Sequence, residues 1–328
     1  MIAVKITGTG SALPEKIVSN FDLEKLVDTS DEWIQERTGI ANRHISTGET
    51  VASLSLKAAQ KALEMAGKSA EEVDLILVAT CSPEMLLPCC ACQVQSGIGA
   101  TNAVAFDLNA ACSGFVFGLS VANAYLQTGM YKNALVIGAE VLSKIVDWTD
   151  RSTCVLFGDG AGAAFVEAVE STSKSLSDGI ISVSQGSDGK KGMVLACEDR
   201  AVVNPYSDAV QKMGYVTMDG QEVYKFAVRQ VAVCIEDALK KVDLTVSDID
   251  HFVLHQANIR IIEGVAKRLK ADYNKFPSNL KNVGNMSSAT IPVLLDELNR
   301  KNTFKKGDKL VLSGFGAGLT YGAVVVVW

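Results

Sequence analysis

Three side chains of different chemistry lie beside short apolar runs of the sequence: a thiol, an imidazole and an amide. Cys112 stands in FDLNAACSGF, between an apolar run and a predicted helix. His255 ends the run DHFVLH, and Asn285 lies in NVGNMSS, before a second predicted helix that begins near Ser288. A thiolate is a nucleophile, while an imidazole and an amide can donate hydrogen bonds to a developing oxyanion. Brought together, such a set predicts covalent catalysis.

Each of these residues also has an ordinary structural interpretation. Cys112 would be a core cysteine, His255 a hydrogen-bonded histidine at a strand end, and Asn285 a turn residue. However, all three fall at the carboxyl ends of predicted strands, where open α/β folds place ligands. Their combination therefore favours one cleft that holds all three. The helix after Cys112 would stabilise a thiolate through its N–H groups and dipole, so we expect a lowered pKa for this thiol.

The elements that must position these residues follow an α/β pattern with buried sheets. Amphipathic segments such as VASLSLKAAQKALEMAG and VYKFAVRQVAVCIEDALKKV predict helices, and the serine-rich STSKSLSDG (171–179) is interpreted as a connector. The predicted strands are VDLILVAT (73–80), NAVAFDL (102–108), NALVIGAE (133–140), IDHFVLHQ (249–256), KLVLSGF and GAVVVVW.

The sequence also contains a weak internal repeat. A shift of 176 residues places residues 62–80 on residues 238–256, a helix end, a turn and a strand of the same length. The same shift places Cys112 on Ser288 without a gap. Identities are few, so the signal lies in the pattern. It favours a duplicated α/β unit over a chance similarity.

Composition limits the class of protein. The chain has 328 residues, 48% of them hydrophobic and 21% charged, which suffices for ordinary cores without disulfides or metals. A net charge of −6 argues against general affinity for nucleic acid. No apolar run approaches the roughly 20 residues of a membrane helix, and the first residues lack a signal-peptide core. We therefore expect a cytoplasmic protein without membrane contact, whose eight cysteines are reduced and mostly pack in the core.

Metal and nucleotide sites are not favoured. On a strand, His251 and His255 would stand about 13 Å apart, too far to share an ion. PCCAC (88–92) has one Cys-x-x-Cys pair without a second, which favours packing over zinc or redox chemistry. Neither GTGSALP nor FGDGAGA completes a nucleotide-binding motif. The loop SGFGAGLTYG differs, because it links the last two predicted strands and brings backbone N–H groups toward the cleft, where they can bind an oxyanion.

Six ordered motifs resemble those of the β-ketoacyl-acyl-carrier-protein synthase III family. They are DTSDEWIQERTGI, AACSGF, FGDGAGA, HQANIRI, VGNMSSATIP and GFGAGLTYG, and the resemblance runs from about residue 3 to residue 328. It implies an α/β thiolase fold, with duplicated βαβαβ halves in a five-layered α/β/α/β/α sandwich, and a homodimer. We place the half with the nucleophile at 1–172 and the half with the histidine and asparagine at 173–328.

The resemblance also implies site residues. Cys112, His255 and Asn285 match the catalytic triad, and the backbone N–H groups of Cys112 and Ala317 match the oxyanion hole. Leu87 matches a position that reaches across the dimer to the end of the partner's acyl pocket, where phenylalanine is common. The residues that match coenzyme A contacts are Trp33, Arg37, Arg151, Tyr224 and Asn258.

The implied reaction starts type II fatty acid synthesis. A short acyl-CoA such as acetyl-CoA acylates Cys112, and malonyl-acyl-carrier protein then loses CO₂ and condenses with the acyl group, in ping-pong order. Coenzyme A thioesters are substrates here, so no cofactor or metal is implied. The partners are acyl-carrier protein and a second copy of the chain. The carrier protein is typically acidic, so a cluster of basic residues around the helix after HQAN would bind it. The alternative is that these residues form only a solvated helix face. The cluster consists of Lys225, Arg260, Lys267, Arg268 and Lys270.

Two alternatives remain open at the level of sequence. A related condensing or acyl-transfer enzyme of secondary metabolism would share the three site residues and differ in substrate. A non-catalytic carrier-protein-binding subunit is disfavoured because the whole triad is present. A thiolase is disfavoured by the amide at Asn285 and by the absence of cysteine from the last glycine loop. Departures from the common family pattern are Ala317 and Ser152, where glycine is frequent, and Tyr224, where phenylalanine is frequent.

Overall fold

The computed structural model describes residues 2–170, 178–212 and 214–328. Residues 171–177 of the predicted connector lie outside this set. The strands are β1 Ile2–Ala12, β2 Ile17–Ser19, β3 Asn42–His44, β4 Leu75–Ala79, β5 Val104–Leu108, β6 Asn133–Val141, β7 Asp159–Glu170, β8 Gly179–Ser187, β9 Leu195–Ala196, β10 Thr217–Met218, β11 His251–Leu254, β12 Lys309–Gly316 and β13 Thr320–Val327. The helices are α1 Asn20–Leu23, α2 Asp31–Thr38, α3 Val51–Ala66, α4 Cys90–Ile98, α5 Gly114–Gln127, α6 Gly220–Lys240, α7 Ile259–Leu269, α8 Leu280–Val283 and α9 Thr290–Arg300.

The two large sheets repeat one topology. The first has the strand order β1-β7-β6-β4-β5, and the second has the order β8-β13-β12-β11. In each sheet the first two neighbouring pairs are antiparallel and the next pair is parallel. The turns Ala111–Ser113 and Ser287–Ala289, which precede α5 and α9, lie 176 residues apart. The internal repeat predicted from the sequence is therefore confirmed.

The helices and sheets stack in five layers. Helices α3 and α4 cover one face of the first sheet, and α6 and α7 cover the outer face of the second. Between the sheets lie α5 and α9, which share one core with strands of both sheets. Phe115 of α5 and Leu295 of α9 are fully buried there. A helix packed between two sheets needs apolar residues on much of its surface, as α5 has, whereas α9 is apolar only on the side that enters this core.

Strands β1, β7 and β8 were not among those predicted: glycines interrupt the apolar pattern of β1 and β7, and serines alternate with the apolar residues of β8. A Cβ on Gly8 of β1 would lie 2.2 Å from the carbonyl oxygen of Ala62 in α3. A Cβ on Gly162 of β7 would lie 2.6 Å from the carbonyl carbon of Pro292 in α9. The glycines of GTGSALP and FGDGAGA thus allow helices to pack directly on the strand backbone.

Within the ranges described, no helix combines the length and apolar character needed to cross a bilayer.

Candidate active site

One cavity of about 1540 Å³ brings together the three residues predicted to do chemistry. Cys112 precedes α5, His255 follows β11, and Asn285 lies between α8 and α9, so both halves contribute. All three side chains are mostly buried. The cavity is also lined by further residues that the sequence singled out: Arg37, Tyr224, Lys225, Asn258, Arg260 and Ala317.

Cys112 is held in a tight turn at the start of α5. Ala111 has a left-handed φ of 46°, and its N–H donates to the side-chain oxygen of Asn109 at 3.0 Å. The end of β12 passes so close that a Cβ on Gly316 would lie 2.6 Å from the Cys112 nitrogen. This approach requires glycine at position 316. The turn thereby fixes both the thiol and its backbone N–H beside the last glycine loop.

The acidity of Cys112 differs from the expectation. Burial raises the pKa of the thiol to about 12, although the neighbouring Ser287 hydroxyl opposes this rise. The carboxyl group of Glu140 raises it further. The predicted lowering by the helix N-terminus is therefore wrong for the free protein, because loss of hydration outweighs the helix dipole. The resting nucleophile is a thiol, and its attack requires a proton acceptor.

His255 is a neutral imidazole fixed from one side. Its Nδ1 lies 2.6 Å from the Thr290 hydroxyl, and its ring meets Phe315 edge to face at 5.4 Å. Burial lowers its pKa from 6.5 to about 3. Its Nε2 is buried and has no hydrogen-bond partner in the part of the chain that the structure describes. This nitrogen is available to a substrate or to a transferred proton.

Asn285 presents the donor end of its amide to the cavity. Its backbone N–H donates to Leu156 at 2.9 Å, and its backbone carbonyl accepts from Gly158 at 2.9 Å. Its side-chain oxygen accepts from the Ser287 N–H at 2.9 Å. Because the oxygen is held inside the protein, the NH₂ group is left to donate to a ligand.

Ala317 lies in the turn between β12 and β13. Its φ is not left-handed, so the methyl group that replaces the usual glycine hydrogen causes no backbone strain. Ala317 lines the cavity together with Cys112.

A second group of predicted residues surrounds Trp33. The guanidinium groups of Arg37 and Arg151 lie 4.5 and 4.9 Å from the centre of its indole ring. Arg151 Nη1 already donates to the Asp28 carbonyl at 2.7 Å, and stacking leaves the remaining guanidinium N–H groups at the ring edge, where they can donate to an anion. Asn258 caps α7 and donates to the Arg37 carbonyl at 2.9 Å, which joins this group to the cavity lining.

Other residues that the sequence singled out do not line the cavity of their own chain. Leu87 is 87% exposed, and neither it nor Lys267 is among the lining residues. His251 faces Asp308 at 3.5 Å rather than His255. Ser152 bonds to the Asp150 carboxylate. Among residues 2–170, 178–212 and 214–328, no three His, Cys, Asp or Glu side chains are grouped to hold a metal.

The sequence did not point to a set of polar residues behind the site. Glu140 is fully buried and accepts hydrogen bonds from the hydroxyls of Ser82 and Ser288 at 2.6 and 2.9 Å. An acid at the end of the apolar run NALVIGAE was a usable signal for Glu140. Nothing in the sequence pointed to Ser287 and Thr290 except that they stand close to Asn285 along the chain.

The chain is similar to proteins of known family over its full length. A family model described as 3-oxoacyl-(acyl-carrier-protein) synthase III matches residues 106–189, and one described as the C-terminal part of that synthase matches residues 239–328. A β-ketoacyl-(acyl-carrier-protein) synthase III of Clostridium novyi (strain NT) is 50% identical over 100% of both chains.

Solved structures show the same similarity. The 3-oxoacyl-(acyl-carrier-protein) synthase III of Aquifex aeolicus VF5 has a TM-score of 0.90 and 42% identity, covering 99% of this chain and 100% of that one. The priming β-ketosynthase of the R1128 polyketide pathway has a TM-score of 0.91 and 34% identity, covering 99% and 96%. The predicted thiolase fold is confirmed. The chain belongs to the β-ketoacyl-acyl-carrier-protein synthase III family of acyltransferases.

Proposed function

We propose that the protein joins a short acyl group from acyl-CoA to malonyl-acyl-carrier protein by decarboxylative condensation, the step that starts type II fatty acid synthesis. The observation that carries this proposal is the convergence of Cys112, His255 and Asn285 on one cavity. Membership of the family supports the reaction class. These thioesters are made and used in the cytoplasm, which is where we propose that the protein acts.

In the first half-reaction the Cys112 sulfur attacks the acyl-CoA carbonyl, the bond to the coenzyme A sulfur breaks, and an acyl-Cys112 thioester remains. The thiol proton leaves with coenzyme A. The backbone N–H groups of Cys112 and Ala317 are the proposed donors to the tetrahedral oxyanion. Preorganised donors of this kind each contribute about 10²- to 10³-fold in rate.

In the second half-reaction malonyl-acyl-carrier protein loses CO₂ and forms an enolate. The free NH₂ group of Asn285 supports a role as donor to the enolate oxygen, since its own oxygen is already held by the Ser287 N–H. The enolate carbon attacks the acyl-Cys112 carbonyl, and the Cys112 sulfur leaves and takes up one proton. The acyl thioester and the malonyl carboxylate supply all the activation, so the reaction needs no cofactor or metal.

The proposed coenzyme A site runs from Trp33 to the cavity. Arg37 and Arg151, stacked on the indole, offer donors to phosphate groups. Tyr224 and Asn258 line the cavity between these arginines and Cys112. In this arrangement Trp33 meets the adenine, and Asn258 meets the pantetheine arm.

The proposed carrier-protein surface lies at the cavity mouth and along α7. Lys225 and Arg260 line the cavity, and Lys267 stands two helical turns beyond Arg260 on the same face of α7. An acidic carrier would be oriented by these charges so that its pantetheine enters the cavity. Lys225 already pairs with Glu222 at 3.0 Å, which makes Arg260 and Lys267 the more available cations.

We propose a homodimer formed through the segment before α4 and the edge strand β5. Met85, Leu86 and Leu87 are 51%, 64% and 87% exposed, and Val104 of β5 is 47% exposed. A free sheet edge beside exposed apolar side chains favours pairing with another copy. In that assembly Leu87 would reach the acyl pocket of the partner.

A second candidate function is the priming of a polyketide pathway, which is favoured by the similarity to the R1128 priming ketosynthase. The two candidates share their chemistry and differ in acyl-CoA and carrier protein. Competition between fatty acid and polyketide carrier proteins would separate them.

The proposed function is tested by incubating the protein with acetyl-CoA and malonyl-acyl-carrier protein and measuring CO₂, coenzyme A and the carrier-bound product by mass spectrometry. We expect equal amounts of the three products, and none with Cys112→Ala. Release of coenzyme A without a β-ketoacyl product would reject the condensation.

A further inference from the structure

The Thr290 hydroxyl lies behind His255 and has three polar neighbours. It is 2.6 Å from Nδ1 of His255, 3.0 Å from the Ser287 carbonyl oxygen and 3.3 Å from the Gln256 backbone nitrogen. The exposed fraction of Thr290 is 0% and that of His255 is 2%. This arrangement determines where the single hydroxyl proton lies.

A hydroxyl donates one hydrogen bond and accepts two. The Gln256 N–H can only donate to Thr290, and the Ser287 carbonyl can only accept from it. The hydroxyl proton therefore points to Ser287, and the remaining lone pair accepts a proton from His255. The opposite arrangement, with Thr290 donating to Nδ1, would leave two oxygen lone pairs facing each other at 3.0 Å. Neutral His255 thus carries its proton on Nδ1.

The position of this proton determines the state of the other ring nitrogen, Nε2. Nε2 then holds a lone pair, and it has no partner among the described residues. Cys112 and His255 pack on the same glycine: a Cβ on Gly314 would lie 3.4 Å from the His255 Cβ and 3.5 Å from the Cys112 carbonyl oxygen. Both residues line the cavity, so the unprotonated nitrogen and the thiol belong to one site.

We propose that Thr290 is a positioning residue that holds His255 in the Nδ1–H tautomer, so that Nε2 accepts the Cys112 proton during acyl transfer. As the sulfur forms its bond to the acyl carbon, its proton moves to Nε2 in the same step, and the imidazolium is paired with the oxyanion that develops on the substrate. When the carbon–sulfur bond to coenzyme A breaks, the imidazolium returns that proton to the leaving thiolate. This assignment rests on the proposed acyl transfer. It leaves Asn285 as the neutral donor to the enolate.

The tautomer is tested directly by ¹⁵N NMR of protein labelled in its three histidines. His255→Gln identifies the His255 signals. We expect Nδ1 with a protonated, pyrrole-type shift and Nε2 with an unprotonated, pyridine-type shift, and a mixture or reversal in Thr290→Val. A protonated Nε2 in the unchanged protein would overturn the proposal, and this measurement requires no activity.

The positioning role is tested by timing the two half-reactions separately. Loss of the hydrogen-bond partner behind a metal-ligating histidine typically costs about 10- to 100-fold, and we expect an effect of the same order for His255. Thr290→Val should slow acetyl transfer to Cys112 by about that factor, while malonyl decarboxylation on enzyme already acetylated changes much less. Thr290→Ser, which keeps the hydroxyl, should recover most of the lost rate.

The matched control is Thr9→Val, which removes another buried hydroxyl, bonded to Asp296 at 2.9 Å and remote from the cavity. We expect it to lower the melting temperature without changing either half-reaction. Equal slowing of both half-reactions in Thr290→Val would show a structural effect only and reject the positioning role. Absence of acetyl transfer in the unchanged protein would instead reject the proposed function, and with it the base role, whatever tautomer NMR shows.

Discussion

At Cys112, burial and the helix N-terminus act in opposite directions on the thiol. The dipole of α5 favours the thiolate, as do the Ser287 hydroxyl and the Cys112 backbone N–H, but the thiolate loses its hydration in a site that is only 9% exposed. Burial wins, and the pKa rises to about 12. A buried thiol is protected from chance alkylation and oxidation, and it becomes a nucleophile only where a base accepts its proton.

This balance predicts the pH dependence of Cys112 alkylation. With iodoacetamide and no substrate, the rate should rise about tenfold per pH unit from about pH 7 to beyond pH 9, because the thiolate fraction follows the raised pKa. Peptide mapping would follow Cys112, and a free cysteine peptide, which levels off near its pKa, serves as the control. A plateau for Cys112 below about pH 8 would show a stabilised thiolate and contradict this prediction.

His255 predicts a loss of stability in acid. Its pKa is 6.5 when exposed and about 3 when folded, so only the unfolded chain binds a proton between these values. The free energy of unfolding attributable to this residue is fully present above pH 6.5 and falls as the pH decreases, by about 2 kcal/mol at pH 5. Urea unfolding at pH 7 and pH 5 would measure it. His255→Gln should lose less stability than the unchanged protein, and an equal loss would contradict the assignment.

At the same scale, the residues that could be predicted were those with rare chemistry beside apolar runs, although only Cys112 and His255 follow strands and Asn285 lies between two helices, α8 and α9. Cys112, His255 and Asn285 stand out because thiols, imidazoles and amides are uncommon beside apolar runs. Ser287 and Thr290 could not be found this way, since their roles depend on which way Asn285 and His255 turn in three dimensions. The acidity of Cys112 was misjudged because burial is a property of the packed cavity.

At the scale of elements, the same turn occurs twice. Ala111 and Ser287 have left-handed φ values of 46° and 49°, and each precedes a helix of the central layer. The first turn presents Cys112 to the cavity, whereas the second buries Ser288 against Glu140. The repeat was visible in the sequence because helix and strand lengths persisted. Strands β1 and β7 were missed because their glycines serve helix packing and obscure the apolar pattern.

The basic residues Arg260 and Lys267 on one face of α7 predict that binding of the carrier protein depends on charge. Arg260→Glu or Lys267→Glu should raise KM for malonyl-acyl-carrier protein by roughly fivefold or more, from the loss of about 1 kcal/mol per surface charge pair. Added salt should reduce the difference. Acetyl transfer from coenzyme A should change less for Lys267→Glu. Lys57→Glu on α3, in the opposite outer layer, is the control. Unchanged KM in both α7 variants would reject this surface.

At the scale of the whole molecule, the site exists only where the two halves meet. The first half supplies the thiol, and the second supplies the imidazole, the amide and the last glycine loop. The central helices α5 and α9 share one apolar core, so the two halves are held in a fixed relation. The division at residues 172 and 173 remains a prediction. A third contribution, Leu87 from the partner, enters only in the proposed dimer.

Leu87 predicts the choice of primer. Leucine is smaller than the common phenylalanine, so the partner's acyl pocket should accept a methyl group or two beyond acetyl. One methylene in an apolar pocket is worth about 1 to 3 kcal/mol, which shifts a preference without making it absolute. Competition of acetyl-CoA with propionyl-, butyryl- and isobutyryl-CoA should show relatively more acetyl transfer in Leu87→Phe. An unchanged ranking would mean that neighbouring side chains set the pocket length.

The central claim, that Cys112 carries the acyl group between two substrates in one cavity, is tested most directly by a chase experiment. The protein is loaded with acetyl-CoA, freed of coenzyme A and mixed with malonyl-acyl-carrier protein, while intact mass and peptide mapping follow the acetyl group. We predict acetyl on Cys112 alone among the eight cysteines. It should leave as acetoacetyl-carrier protein, with one CO₂ released per acetyl lost. Acetyl that stays on Cys112 while product forms, or product from Cys112→Ala, would contradict the account.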